Sequence, residues 1–325
     1  ISSIGASAFK GCNSLSEITL PFVGKSRSAT GYESAFGFIF DYKTEGSYNS
    51  TNAAGYSVGD IYTCSNSGNR YVTSVNGGRI GYSCDYIYTI PSSIKTVNIT
   101  DASKIGAGAF ANCGYISRVC CNAEINTIEN YLFYNCSSLK TFEIPSSVKT
   151  VGKYAFYNTN LTDVFLPVEL KSINDYAFQN CSYISKLKMS DNVESIGSYA
   201  FAECRNIAEI NIPDSVTELG GNAFAAGSAS YPMGATKLSI GSGLKAIPTN
   251  AFSNCAYLTK VTVPNTVETI GDSAFKGCNR LSELTLPFVG KSRSAIGYES
   301  AFGFIFDYKT EGSYSSTNAT GYSVG

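Results

Sequence analysis

The sequence predicts a solenoid: a chain wound into stacked coils of about 23 residues with a parallel sheet along one face. Three observations carry this reading. An Ala-Phe or Leu-Phe dipeptide recurs nine times, with Phe9, Phe110, Phe133, Phe156, Phe178, Phe201, Phe224, Phe252 and Phe275 as its aromatic members. From Phe110 to Phe275 the steps are 23, 23, 22, 23, 23, 28 and 23 residues. Seven cysteines (Cys12, Cys113, Cys136, Cys181, Cys204, Cys255, Cys278) each follow such a Phe by three positions. A fixed period of about 20 to 29 residues marks units too small to bury their own apolar face, which become stable only by stacking.

Each half of a repeat has its own logic. In Leu139-Lys140-Thr141-Phe142-Glu143-Ile144-Pro145, Phe142 and Ile144 alternate with polar residues, which suits a strand with one buried face. Pro145 ends it, having no N–H for a continuing ladder. Val148, Val151, Ala155 and Phe156 then fall inward at spacings closer to a helical turn, so a turn or short helix is expected on the opposite side. The frame recurs at Ile116/Val119/Cys121, Ile184/Leu187/Met189, Ile207/Ile210/Ile212, Leu258/Val261/Val263 and Leu281/Leu284/Leu286.

Residues 258–278 bring the whole pattern together as Leu258, Val261, Val263, Pro264, Val267, Ile270, Gly271, Ala274, Phe275 and Cys278. The string resembles the Treponema pallidum type of leucine-rich repeat found in BspA-like bacterial surface proteins. The resemblance covers residues 91–287 and the fragment 1–21. It implies a leucine-rich-repeat solenoid, right-handed and α/β horseshoe-like, with a parallel concave sheet. It also implies a cell-surface or secreted bacterial protein used in adhesion or host contact, and leaves the ligand open, since repeat folds carry function in variable surface residues.

Residues 4–59 return as 270–325 with 50 identities in 56 positions, which reads as one super-repeat plus the start of the next, a segment of a longer array. Four segments are expected: a partial repeat at 1–21, a degenerate repeat with an insertion at 22–90, the solenoid at 91–287, and a second copy of the insertion start at 288–325. Ala35-Phe36 reads as a degenerate tenth anchor. Beyond it the period fails, and the chain becomes rich in Tyr, Ser, Asn and Gly. Asn76-Gly77-Gly78 between Tyr71–Val75 and Arg79–Ser83 is a hairpin signal. So many aromatics argue for a small β-rich subdomain rather than a disordered linker.

Composition limits the chemistry. Lys and Arg number 24 against 25 Asp and Glu, so no net field draws the chain to nucleic acid or an anionic membrane. No apolar run approaches the roughly 20 residues of a spanning helix. There is no histidine, which removes the commonest general base and metal ligand and every Ser-His or Cys-His arrangement. An enzyme is therefore not expected, nor any cofactor or catalytic residue. The seven repeated cysteines read as a buried thiol ladder rather than metal or disulfide sites, because Thr159 and Gly227 hold the same slot in two coils. Cys64 and Cys84 lie in the insertion, where either a bridge or two free thiols fits. Gly24-Lys25-Ser26 ends like a phosphate loop, but Thr19 stands where that motif needs its first glycine.

Two surfaces remain as candidates for binding a protein or glycan partner. The insertion offers Tyr62, Tyr71, Tyr82, Tyr86 and Tyr88, broad amphipathic side chains that order at low entropic cost. The outward strand residues offer a face whose middle is basic, with Lys186, Lys188, Lys237 and Lys260. A passive stalk presenting a distant domain is the structural alternative, and glycan binding by the insertion a further one.

Overall fold

The computed structural model describes residues 1–29, 31–44, 70–72, 86–228 and 230–306. Strands Glu17–Leu20, Thr96–Ile99, Arg118–Cys121 and Thr141–Phe142 pair in parallel, one per coil, in constant phase: Glu17 faces Thr96, Thr96 faces Arg118, and Arg118 faces Thr141. The series continues through Asp163–Phe165, Lys186–Lys188, Glu209–Ile212, Lys237–Ile240, Lys260–Thr262 and Glu283–Thr285. Ile18, Leu20, Val97, Ile99, Ile210, Ile212 and Val261 point inward and are buried. Their polar neighbours form the outer face, as two-residue alternation requires.

The opposite wall differs from an α/β horseshoe. Its two-residue strands Thr127–Ile128, Thr150–Val151, Ser172–Ile173, Ser195–Ile196 and Glu218–Leu219 make a second parallel ladder. Among the described residues there is no α-helix. The turn around each Phe explains this. Two positions in most coils take positive φ, one two residues before the Phe (Tyr131, Tyr154, Tyr176, Tyr199, Asn222, Asn250) and one two residues after it (Asn112, Asn135, Asn158, Asn180, Glu203, Asn254); the Phe224 coil has only the first. A left-handed residue at each end of the turn stops any right-handed helix from propagating.

The Ala-Phe dipeptide is the coil-to-coil joint. The Phe133 N–H donates to the Ala155 carbonyl at 2.7 Å, Phe156 to Ala177 at 2.8 Å, Phe178 to Ala200 at 2.8 Å and Phe201 to Ala223 at 2.8 Å. The rings stack behind these bonds, with centroids 4.9 Å apart for Phe156 and Phe178 and 5.2 Å for Phe178 and Phe201, their planes within 7°. Phe36 extends the row as the sequence suggests, 5.0 Å from Phe110. Between Phe36 and Phe9 an added ring intervenes, Phe40, 5.1 Å from the one and 6.1 Å from the other. Coils lie so close that a Cβ at Gly152 would stand 2.6 Å from the Asn130 backbone nitrogen, which accounts for the Ile-Gly of the motif.

The cysteines occupy the slot above the rings. Cys136 Sγ donates to the Phe110 carbonyl at 2.9 Å, Cys181 to Phe156 at 2.9 Å and Cys204 to Phe178 at 3.1 Å. The thiol thus fills the core slot and gives a carbonyl a second donor. In one of the two coils without the cysteine, Thr159 Oγ1 lies 3.2 Å from Cys181 Sγ. Burial, with a neighbouring thiol behind it, pushes Cys113 well up; burial alone lifts Cys136 to about 12 and Cys181 to about 11.

In the insertion, Tyr86–Thr89 is the middle strand of three, antiparallel to Asp41–Thr44 on one side and Arg70–Val72 on the other, with Tyr71 opposite Tyr88. The expected turn at Asn76-Gly77-Gly78, together with Tyr62, Tyr82, Cys64 and Cys84, lies outside the described residues. The duplicated segments share one backbone: Gly31–Ser34 and Phe36–Ile39 are short 3-10 helices, as are Gly297–Ser300 and Phe302–Ile305. Their burial differs, for Phe36 is covered by the coil of Phe110 while Phe302 is exposed.

Phe201→Ala removes a fully buried ring stacked on both sides and is expected to destabilise the fold by about 3 to 5 kcal/mol, measured by denaturant unfolding. A loss under about 1 kcal/mol would deny the Phe row its role. The ladder thiols should resist alkylation in the native protein and react on unfolding. The pKa of Cys113, Cys136, Cys181, Cys204, Cys255 and Cys278 is raised in the folded state, so the stability they confer is complete below the ordinary thiol range of about 8.5 and is lost as pH climbs through their folded values. An alkaline titration followed by circular dichroism checks this. Native-state labelling of Cys136 at neutral pH would contradict it.

Candidate functional site

The outward face of the main sheet is a ladder of ion pairs. Lys186 Nζ lies 3.3 Å from Asp163, Lys237 2.7 Å from Glu209 and Lys260 2.5 Å from Glu283, each across to an adjacent coil. The Thr162 hydroxyl, with Lys186 behind it, holds the Asp163 carboxyl below its ordinary range. The hydrogen bond to Glu209, then its charge, raises Lys237. The basic middle read from the sequence is therefore largely neutralised, because register sets a carboxylate beside three of the four lysines. Lys188 keeps no ion pair among the described residues and stands opposite Phe165, whose ring is 59% exposed. Exposed pairs of this kind add little stability; they flatten the charge of the face.

A more built arrangement lies along the edge between the Cys slot and the main sheet, where the 28-residue step falls. Five extra residues make a loop at 227–234, and the coil before it has changed to receive them. In Phe110, Phe133, Phe156 and Phe178 coils the positive-φ residue after the Phe is Asn, and these amides chain together: Asn135 Nδ2 to Asn112 Oδ1 at 3.0 Å, Asn158 to Asn135 at 2.5 Å, Asn180 to Asn158 at 2.8 Å. In the Phe201 coil it is Glu203. One carboxylate oxygen accepts the Gly227 N–H, and the other accepts Arg205 Nε at 2.9 Å and Nη2 at 2.7 Å.

The far end of the loop is fastened too. Gly234 N donates to the Arg205 carbonyl at 2.8 Å, Met233 N to Asn254 O at 3.0 Å, and the Met233 side chain is fully buried. Tyr231 is held out at the apex, 62% exposed, with the Arg205 guanidinium 4.9 Å from its ring centroid. The same edge carries Tyr183, 54% exposed, and Tyr257, with Arg280 4.7 Å from the Tyr257 ring. Tyr183, Arg205, Tyr231, Tyr257 and Arg280 come from five successive coils, a strip on the order of 20 Å at the spacing of paired strands. Tyr115 holds the equivalent position further toward the N-terminus, beneath Lys95 at 5.1 Å.

Of the sequence candidates, Tyr71, Tyr86 and Tyr88 lie on two of the three strands of the insertion, and Lys186, Lys188, Lys237 and Lys260 on the sheet face. The structure does not bring the two groups together at a described contact. The Tyr/Arg edge went unread, although the lengthened step and the Asn-to-Glu change were both visible; only the fold shows that they meet. Among the described residues no three His, Cys, Asp or Glu side chains gather as a metal site, and no helix is long and apolar enough to cross a membrane.

Constant-phase parallel strands, an inward Phe row and a thiol ladder define a leucine-rich-repeat protein of the bacterial surface-protein type. The chain belongs to the BspA type leucine rich repeat family, whose model matches it in six copies over residues 1–36, 103–230 and 228–303. Among solved structures it is similar to a leucine rich cell surface protein of Faecalibacterium prausnitzii, at 21% identity over 66% of this chain and 72% of that one, with a TM-score of 0.35. It is also similar to the T. pallidum leucine-rich repeat protein, at 22% identity over 57% and 77%, TM-score 0.40. The pneumococcal vaccine antigen PcpA matches at 16% identity over 59% and 68%, TM-score 0.27. No curated protein matches the chain.

Glu203→Asn should restore the amide ladder while releasing the loop. Limited proteolysis at 228–231 is expected to speed up with the melting temperature nearly unchanged, since the core is untouched. Equal cleavage in both proteins would mean that Glu203 does not hold the loop.

Proposed function

We propose that this chain is a non-enzymatic interaction module of a bacterial cell-surface or secreted protein, and that it binds a macromolecular partner through its Tyr/Arg edge. The observation that supports this most is the interlocked pair of departures from the repeat, Glu203 in one coil and the five-residue lengthening in the next. Glu203 lies outside the Phe row, the thiol ladder and the sheet, and the lengthening adds the buried Met233 to the core. Their joint effect is to hold an aromatic ring out in solvent on a rigid base. Tyr and Arg are the side chains that dominate protein interfaces, and a site fixed before binding loses less entropy on association. Family membership supports the coarser part of the reading, a protein-interaction repeat of bacterial surface proteins.

The insertion supplies the competing surface. Its strands leave the solenoid directly after Phe40 and return at Ile90, both buried, and its candidates from the sequence are Tyr62, Tyr71, Tyr82, Tyr86 and Tyr88. Binding of the full chain to immobilised extracellular-matrix proteins and to mucin separates the two. Tyr231→Ala combined with Tyr257→Ala is expected to weaken adherence by about tenfold or more, equal to about 1.4 kcal/mol, with no change in melting temperature. Deleting 43–89 should leave adherence intact. The reverse result assigns binding to the insertion, and no adherence by the full chain to any surface in the set rejects the adhesion reading.

A further inference from the structure

On the wall opposite the main sheet, four consecutive coils place a tyrosine two residues before the Phe. The rings form a stack separate from the core. Tyr131 and Tyr154 have centroids 5.2 Å apart with planes at 9°, Tyr154 and Tyr176 4.5 Å at 2°, and Tyr176 and Tyr199 5.0 Å at 5°. A shorter column runs beside it, Tyr134 and Tyr157 at 5.0 Å and 11°. Only Tyr131 is buried; the others are half-exposed, so the phenol edges meet solvent. All four stacked tyrosines have positive φ, between 54° and 60°. Other coils hold Gly108, Asn222 or Asn250 there, residues that enter this region at lower cost, or Ser7 and Ser273. The backbone pins each ring: Tyr154 N donates to Asp175 O at 3.2 Å and Tyr176 N to Ser198 O at 2.9 Å. Beside them Lys153 and Asp175 pair at 2.8 Å and cancel as charges.

We propose that the tyrosine stack is a site of oxidative cross-linking, in which a peroxidase using hydrogen peroxide joins Tyr154 to Tyr176 as a carbon–carbon bonded dityrosine that staples adjacent coils. Each phenol gives up one hydrogen atom, an electron with its proton, and the two hydrogens reduce one peroxide to two waters. The two phenoxyl radicals then form a bond between ring carbons ortho to oxygen. The hydrogens on those carbons move to the oxygens, restoring both phenols. The net change is two tyrosines and one peroxide giving one dityrosine and two waters.

The geometry favours coupling within a chain over coupling between chains. Two radicals held as neighbours react without a diffusional search, which is the advantage of an oriented intramolecular reaction. The 154–176 pair has the closest and most nearly parallel rings of the stack. Burial, then the surrounding phenols, keeps Tyr154 protonated far into the alkaline range, so its electron leaves together with its proton.

The test is peroxidase with hydrogen peroxide acting on the full chain, read by dityrosine fluorescence and by mass mapping of cross-linked peptides. The expected result is a monomeric product lighter by two hydrogens, with residues 154 and 176 joined and a yield independent of protein concentration. Tyr176→Phe keeps a stacking ring but cannot form a phenoxyl radical, and should abolish this cross-link with the melting temperature unchanged. Tyr231→Phe should leave it intact. Oxidation of the urea-unfolded chain should scatter the cross-links among other pairs. The proposal is overturned by products that are only intermolecular, by a within-chain product that survives Tyr176→Phe, or by the same pairing from folded and unfolded chain.

Discussion

Everything in this molecule is referred to the joint at which a Phe N–H meets the Ala carbonyl of the next coil and the two Phe rings stack. The bond and the ring contact hold together only if successive coils keep the same rise and phase, so the period is an energetic requirement before it is a pattern. Once phase is kept, every position meets its own equivalent 22 or 23 residues on. A thiol then finds the carbonyl of the preceding Phe coil, an Asn amide finds the previous amide, and an Ile-Gly glycine passes the backbone before it without a Cβ in the way. Single residues become ladders because one geometric condition is repeated. Such ladders make stability a sum of neighbour terms.

The same condition explains what could be read from the chain. Phe, Cys and the alternating strand residues repeat at the solenoid period, and their burial follows from spacing alone. The turn opposite the sheet was less legible. Val148, Val151 and Ala155 have helical spacing, yet the left-handed backbone at Tyr154 and Asn158 breaks the helix, and a tyrosine gives no warning of positive φ. Lys237 and Lys260 look like a basic patch until strand phase sets Glu209 and Glu283 beside them. The lysine's sequence neighbours do not reveal its partner; the residue one coil away does. Phe36 and Phe302 make the point most directly. Their local sequences and backbone turns are the same, and only stacking decides that one ring is buried and the other exposed.

The tyrosine stack raises an energetic question that the ladder logic answers. A left-handed backbone costs a non-glycine residue on the order of 1 to 2 kcal/mol, and four consecutive coils accept that cost. A stacked aromatic pair returns about 0.5 to 1.5 kcal/mol beyond its burial. Three contacts along the column and one in the next offset most of the strain, and the backbone bonds that close the turn supply the rest. The stack offsets the strain where the tyrosines are consecutive; in the coils that follow, Asn222, Asn250 and Ser273 hold the position at positive φ without it.

A solenoid confines where a site can arise. Inward positions are set by the core, and a change at one of them disturbs both neighbouring coils, so variation is cheapest at the edges. There, however, a single exposed side chain on a thin coil is poorly held, and rigidity must come from the coil next door. A binding feature should therefore appear as paired departures in adjacent coils rather than as one unusual residue. Glu203 and the 227–234 loop have that form: the glutamate leaves the amide ladder, the loop leaves the period, and each is satisfied by the other. The tyrosines and arginines along that edge are then more than scattered surface residues. They sit where the repeat has given up its own regularity in two places to hold one ring still.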